Sequence, residues 1–255
     1  MKYEASLILH VPHDCTNVPP QIRNQFVLDD LALAGELLRM TDHHTHALFA
    51  SLVAPERVVR ASVSRLVVDV ERFADDAGEP MAARGMGAVY SRTSSAAPLR
   101  RPLSSAERQA LLIEYYEPHH ARLEAVVEEA LCAHGRCLVL DCHSFPSIAL
   151  PYEGAAPDQV RPDICIGTDS FHTPDALAAR FQAAFADAGW SVAMNDPFAG
   201  ALVPASRYQR DAHVMGVMVE VNRGLYMDER SGGRLDAFAA VAARVRECCR
   251  LAVTL

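Results

Sequence analysis

The chain has 255 residues, half of them hydrophobic, and a formal net charge of −8 at neutral pH. Its only lysine is Lys2 and no stripe of cations runs along it, which argues against a nucleic-acid partner, since phosphate binding needs clustered positive charge. No stretch reaches the roughly 20 apolar residues of a membrane span, and the opening MKYEASLILHVPHD lacks the apolar core of a signal peptide, so no membrane partner and a cytoplasmic location are expected. The cysteines (Cys15, Cys132, Cys137, Cys142, Cys165, Cys248, Cys249) form an odd set without a CxxC pair, which reads as reduced thiols. The length suits one domain over residues 1–255 that buries a full core.

In chain order, residues 6–11 read as a strand buried on both faces, ended by Pro12. A helix is expected over 31–52, with strands at 58–59 and 65–70. Residues 74–102, rich in Gly, Ala, Ser, Arg and Pro, read as a long loop. Ser104 and Glu107 have the spacing of a capping box at the start of a helix running to Cys132, stopped by Gly135. Strands follow at 137–140, 164–167, 190–194 and 216–221, with helices at 174–188 and 233–251. Strands alternating with helices predict an α/β fold, a sandwich with a mainly parallel central sheet. Parallel sheets take ligands beyond the carboxyl ends of their strands. His10, His13 and Asp14, then Asp141, His143 and Ser144, then Glu220, Asn222 and Arg223 stand at those ends and should gather at one edge.

His13 and His143 follow buried strands, and Thr41-Asp42-His43-His44-Thr45-His46 holds four more metal-capable side chains. A catalytic zinc takes three nitrogen or oxygen donors and keeps one position open, which two histidines and a carboxylate satisfy. Imidazole and carboxylate at the end of an apolar strand are costly to bury unless paired or liganded. The bland alternative puts His43, His44 and His46 on an exposed helix face. Glu220 has the position of a general base, or of a salt-bridge partner for Arg223 or Arg72. Arg65 and Arg72 suit two-pronged binding of carboxylates, or structural pairing with Asp69 or Glu71. Cys142 beside His143 would face away from it, because neighbours on a strand point to opposite sides.

The ordered set Pro12-His13, Thr41–Thr45, Ser64–Asp69, Tyr116–His120, Asp141–Ser144 and Glu220–Glu229 resembles the N-formylglutamate amidohydrolase family, across nearly the whole chain. The resemblance implies a three-layer α/β/α sandwich with a mixed sheet, related in fold to zinc carboxypeptidases. It implies one divalent metal, zinc first among the choices, on His13, Asp42 and His143 with His44 in reserve, and Glu220 as general base. Arg65, Arg72, Arg223, Asn17 and Tyr226 are then the residues expected to hold substrate. The implied reaction is hydrolysis of an N-formyl or N-acyl acidic compound such as N-formyl-L-glutamate by a monomer or small homo-oligomer. The alternative is the same chemistry on another N-acyl compound from aromatic, heterocyclic or amino-acid breakdown. Departures from the family pattern fall at His46, Gly200–Pro204 and Arg207–Arg210.

Overall fold

The computed structural model describes residues 4–154 and 159–254. In chain order the main elements are β1 (Leu7–Val11), α1 (Asp30–Met40), α2 (Thr45–Phe49), β2 (Val58–Arg60), α3 (Ser105–Leu111), α4 (Glu117–His134), β3 (Cys137–Phe145), β4 (Ile164–Gly167), α5 (Asp175–Asp187), β5 (Val192–Met194), β6 (Val214–Asn222) and α6 (Phe238–Thr254). The strands form one sheet in the order β2-β1-β3-β6-β4-β5. β2, β1, β3 and β6 run parallel; β4 and β5 run parallel to each other and opposite to β6. This is the mixed, mostly parallel α/β sheet expected.

The period of two along each strand divides the core. Leu7, Leu9, Leu138, Leu140 and Cys142 point to one face and pack with Phe181 and Phe185 of α5 and Val245 and Cys249 of α6. Ile8, Cys137 and Val139 point to the other, against Leu123, Val126 and Val127 of α4. Cys142 therefore lies in the core away from His143, as its strand parity requires, and burial pushes its thiol pKa up.

Two elements differ from expectation. The helix over 31–52 is two helices, broken at Thr41–His44, where His44 takes a left-handed φ of 67°. The break turns Asp42 inward: its N–H donates to the His13 carbonyl at 2.9 Å. The run 65–70 is not a strand. The N–H groups of Val67 and Val68 donate to the Ser64 carbonyl, the Leu66 N–H to the Ser64 hydroxyl, and Arg100 binds the Leu66 and Val67 carbonyls. With its polar backbone satisfied locally, the segment buries Leu66, Val67 and Val68 in a core cluster of its own with Tyr90 and Leu99. The capping box of Ser104 and Glu107 is present, but the helix it starts passes through a π-turn at Leu112–Tyr116 before α4, which Gly135 ends at φ 70°.

Candidate active site

The face of the sheet that packs on α4 changes character along its strands. On β3 the apolar Cys137 and Val139 give way to Asp141, His143 and Phe145. On β6, in register beside them, stand Met218 opposite Asp141 and Glu220 opposite His143. His10 of β1 pairs with Asp141 from the other side. The parallel register thus delivers His10, Asp141, His143 and Glu220 to one carboxyl-terminal edge, and the chain leaving β1 adds His13.

His13 is buried, and its Nε2 meets Asp69 Oδ1 at 2.8 Å. Its Nδ1 has no hydrogen-bond partner among the described residues. That nitrogen lies 3.7 Å from Glu71 Oε2 and 3.8 Å from Asp42 Oδ2. His143 faces carboxylates at both ends: Nδ1 is 3.1 Å from Asp42 Oδ2, while Nε2 is 3.0 Å from Glu71 Oε1 and 3.1 Å from Asp141 Oδ1. One donor atom from each of His13, Glu71 and His143 lies within 4.8 Å of the other two; His10, Glu71 and Asp141 form a second such group. Behind the second group, His10 Nδ1 is 2.7 Å from Asp141 and its Nε2 is 2.9 Å from His119 Nε2.

Asp42 occupies a different posture from the free ligand expected. Arg223 Nη2 donates to its Oδ1 at 2.8 Å, and the Ser144 N–H donates to its Oδ2 at 3.2 Å. Glu71, by contrast, faces imidazoles, with no arginine or lysine paired to it among the described residues.

The field here calls for positive charge. Burial and Arg65 oppose protonation of His13, yet Asp69, Glu71 and Asp42 outweigh them and raise its pKa. For His143 burial is likewise overcome by Glu71, Asp141 and Asp42, and the pKa is well raised. Asp42 is held far below the usual carboxylate range against burial by His13, His143 and Arg223. Glu220 goes the other way: burial, reinforced by Asp42 and Glu71, raises it to about 8 despite His143 and Arg223. Its Oε2 is buried without a partner among the described residues. Arg223, the alternative partner for Glu220, is bound instead to Asp42, Ser144 and the Arg39 carbonyl.

These groups open on a cavity of about 460 Å³ whose lining includes His13, Asp42, Glu71, His143, Glu220 and the arginines Arg39, Arg65, Arg72, Arg84 and Arg223. Arg65 is bound to Asp69 at 2.9 Å, the structural pairing weighed from sequence, and Arg72 lies in looser ion-pair range of the same carboxylate at 3.7 Å, its buried Nε without a hydrogen bond among the described residues. Three expected residues lie elsewhere. Exposed Asn17 donates its side-chain N–H to the Ser62 carbonyl, outside the cavity. Tyr226 is buried in the core with its hydroxyl donated to the His43 carbonyl at 2.9 Å. His44 meets the Gly232 carbonyl at 2.8 Å and packs its ring on Phe238, so it is no reserve ligand. Sequence reasoning saw Glu71 only as a partner for an arginine. Its placement depends on the turn at 65–70, which leaves no periodic signal in the sequence.

An α/β sheet with buried imidazoles and carboxylates at its carboxyl edge defines a hydrolase-like site with candidate metal donors. The sequence model of the family described as N-formylglutamate amidohydrolase matches residues 5–227, and the chain belongs to that family. The crystal structure of N-formylglutamate amidohydrolase from Ralstonia eutropha JMP134 is similar at 25% identity, with a TM-score of 0.83 over 97% of this chain and 92% of that one. The gene product Atu2144 from Agrobacterium tumefaciens shares the fold at 20% identity, with a TM-score of 0.68 over 98% of this chain and 93% of that one. No curated protein matches the chain.

Proposed function

We propose that the chain is a metal-dependent amidohydrolase for a small acidic N-acyl substrate, N-formyl-L-glutamate being the first to test, with His13, Glu71 and His143 holding one divalent ion. The observation that carries this reading is His13 Nδ1, a buried nitrogen without a partner that faces carboxylates while Asp69 occupies the other end of its ring. A histidine anchored by a carboxylate at one nitrogen and open at the other has the form of a metal ligand. Glu71 is the carboxylate in reach of both imidazoles that lacks a cation, whereas Asp42 is engaged by Arg223 and serves to orient His143. Zinc suits such a mixed nitrogen and oxygen set. A divalent ion held by these residues would supply Lewis acidity and acidify a water.

Glu220 moves the protons. A carboxylate whose field holds its pKa near neutrality accepts a proton from the attacking water and can return it to the departing amine. Arg72, held only loosely by Asp69 and Glu79 at 3.7 and 3.9 Å, takes the substrate carboxylate, with Arg39 and Arg84 beside it in the cavity lining. Arg65 and Arg223, bound to Asp69 and Asp42, keep those carboxylates ionised and in place.

The test is the metal content of purified protein together with formate release from N-formyl-L-glutamate, before and after chelation. About one metal per chain with chelator-sensitive release is expected for a three-donor site. Undiminished hydrolysis by metal-free protein would overturn the reading.

A further inference from the structure

The cavity has two unlike flanks. Arg65, Arg72 and Arg84 come from the long segment after β2, and Arg39 from the end of α1. A second set, from β3, β6 and the segment following β5, is apolar: Phe145, Met218, Pro197 and Phe198. His143 and Glu220 line the same cavity. The strand register puts all four side chains on one face, with Phe145 two residues beyond His143 and Met218 two before Glu220, so an apolar side chain stands on either side of the His143–Glu220 pair along the strands.

The apolar flank is built rather than incidental. Met218 faces Gly167 across the β4–β6 pair, and a Cβ at Gly167 would sit 2.3 Å from Met218 Cε and 2.4 Å from the Gly200 carbonyl oxygen. The Gly200 carbonyl oxygen is the stronger bar to a side chain there, since backbone cannot swing aside as the flexible end of Met218 can. The Phe145 and Phe198 rings lie 6.0 Å apart, and the Arg161 guanidinium stacks over both at 4.8 and 5.4 Å. Glu153 pairs with Arg161 at 2.7 Å, so the stack adds no net charge. Asp196 belongs to the lining here but is exposed.

A formyl group, with only hydrogen on its carbonyl carbon, uses none of this surface. Resting on the hydrolase reading above, we infer that the apolar flank receives the acyl part of the substrate, so that the preferred substrates are acidic amines carrying an apolar acyl chain longer than formyl. Hydrolysis breaks the C–N bond. The hydroxyl of water goes to the acyl carbon and its proton to the amine, giving a carboxylic acid and the free amine without any further reactant.

The experiment compares kcat/KM of the metal-loaded enzyme for N-formyl-, N-acetyl-, N-butanoyl- and N-hexanoyl-L-glutamate and for N-formyl-L-phenylalanine. A calorimetric series measures binding of acetate, butanoate and hexanoate. We expect kcat/KM to rise from formyl to butanoyl by about threefold to fourfold per methylene buried, with the acids following the same order. In Met218→Gln the butanoyl-to-formyl ratio should fall toward one while metal content stays at the wild-type value. A steady decline from formyl to hexanoyl, with no gain in acid binding, would overturn the inference. So would a preference for N-formyl-L-phenylalanine over N-butanoyl-L-glutamate, which would give the flank to the amine's side chain. Absence of both metal and turnover on every substrate would instead remove the hydrolase reading, and the acid series would still judge the apolar flank alone.

Discussion

His172 and His13 are both fully or almost fully buried, and their surroundings could hardly differ more. Near the start of β6, His172 Nδ1 donates to the Val214 carbonyl at 2.7 Å, its Nε2 accepts the Gln209 N–H at 2.8 Å, and Tyr208 stacks on the ring. Every polar atom is used, and the residue closes a piece of the fold. Toward the other end of β6, His13 has one nitrogen on Asp69 and the other open, among carboxylates. Burial alone therefore does not mark function. The mark is burial with a polar atom left over, because leaving it so costs about 1–3 kcal/mol unless something else fills the gap.

The sharpest way to break this contrast is Glu220→Gln. Glu220 Oε2 is a further unpartnered atom of the open region, and the amide keeps its shape while removing its basicity. General acid–base catalysis is worth roughly 10²–10⁴-fold, so kcat should fall by that range with metal content unchanged. Retention of kcat within about threefold of the wild type, well inside that range, would remove Glu220 from the chemistry. The next largest effect separates the two carboxylates beside His143. Glu71→Gln should abolish stoichiometric metal binding in equilibrium dialysis, while Asp42→Asn should weaken it about 10–100-fold, as loss of an orienting partner does. The reverse order would make Asp42 the ligand, as the family resemblance implied.

The site's histidines and those of α4 behind it should also give opposite pH dependence in the metal-free protein. His13 and His143 have raised pKa values, so their contribution is fully present below the unfolded value of about 6.5 and is lost as pH rises through their folded values. Glu220, raised to about 8, loses stability in the same direction up to that pH. His119 and His120, on α4 behind the site, are lowered to about 2 and about 4, chiefly by burial. Their contribution is full above about 6.5 and falls as pH drops toward those values. The melting temperature of chelated protein should therefore peak near pH 6.5 and decline on both sides, and metal should remove the alkaline decline. A flat curve for chelated protein from pH 6.5 to 9 would contradict the electrostatics of the open region.

Much of this was legible in the sequence because strand ends are. An apolar run followed by Asp-Cys-His-Ser, or by Glu-Val-Asn-Arg, places its polar residues at the sheet's carboxyl edge whatever the loops do, so His13, His143 and Glu220 could be named together. What the sequence could not give depends on backbone that leaves regular structure. Residues 65–70 have the composition of a strand, but Ser64 and Arg100 satisfy their backbone, and the resulting turn aims Asp69 and Glu71 at the imidazoles. The left-handed turn at His44 likewise decides that Asp42 faces the site and His44 does not. Neither turn leaves a periodic signal.

The smallest effect tests the closed side of the contrast at Tyr226. Tyr226 follows Glu220 and Arg223 in the most distinctive stretch of the chain, and from sequence it reads as a substrate contact. Its ring is fully buried against His44 and Phe238, and its hydroxyl is donated to the His43 carbonyl. Tyr226→Phe removes one neutral hydrogen bond and leaves the ring in place, a loss of about 1 kcal/mol in unfolding free energy. Denaturant midpoints should record that loss, while KM and metal content stay at wild-type values. A severalfold rise in KM at unchanged stability would return Tyr226 to the substrate, and would mean that a satisfied hydroxyl in this fold does not identify a structural residue as surely as His172 suggests.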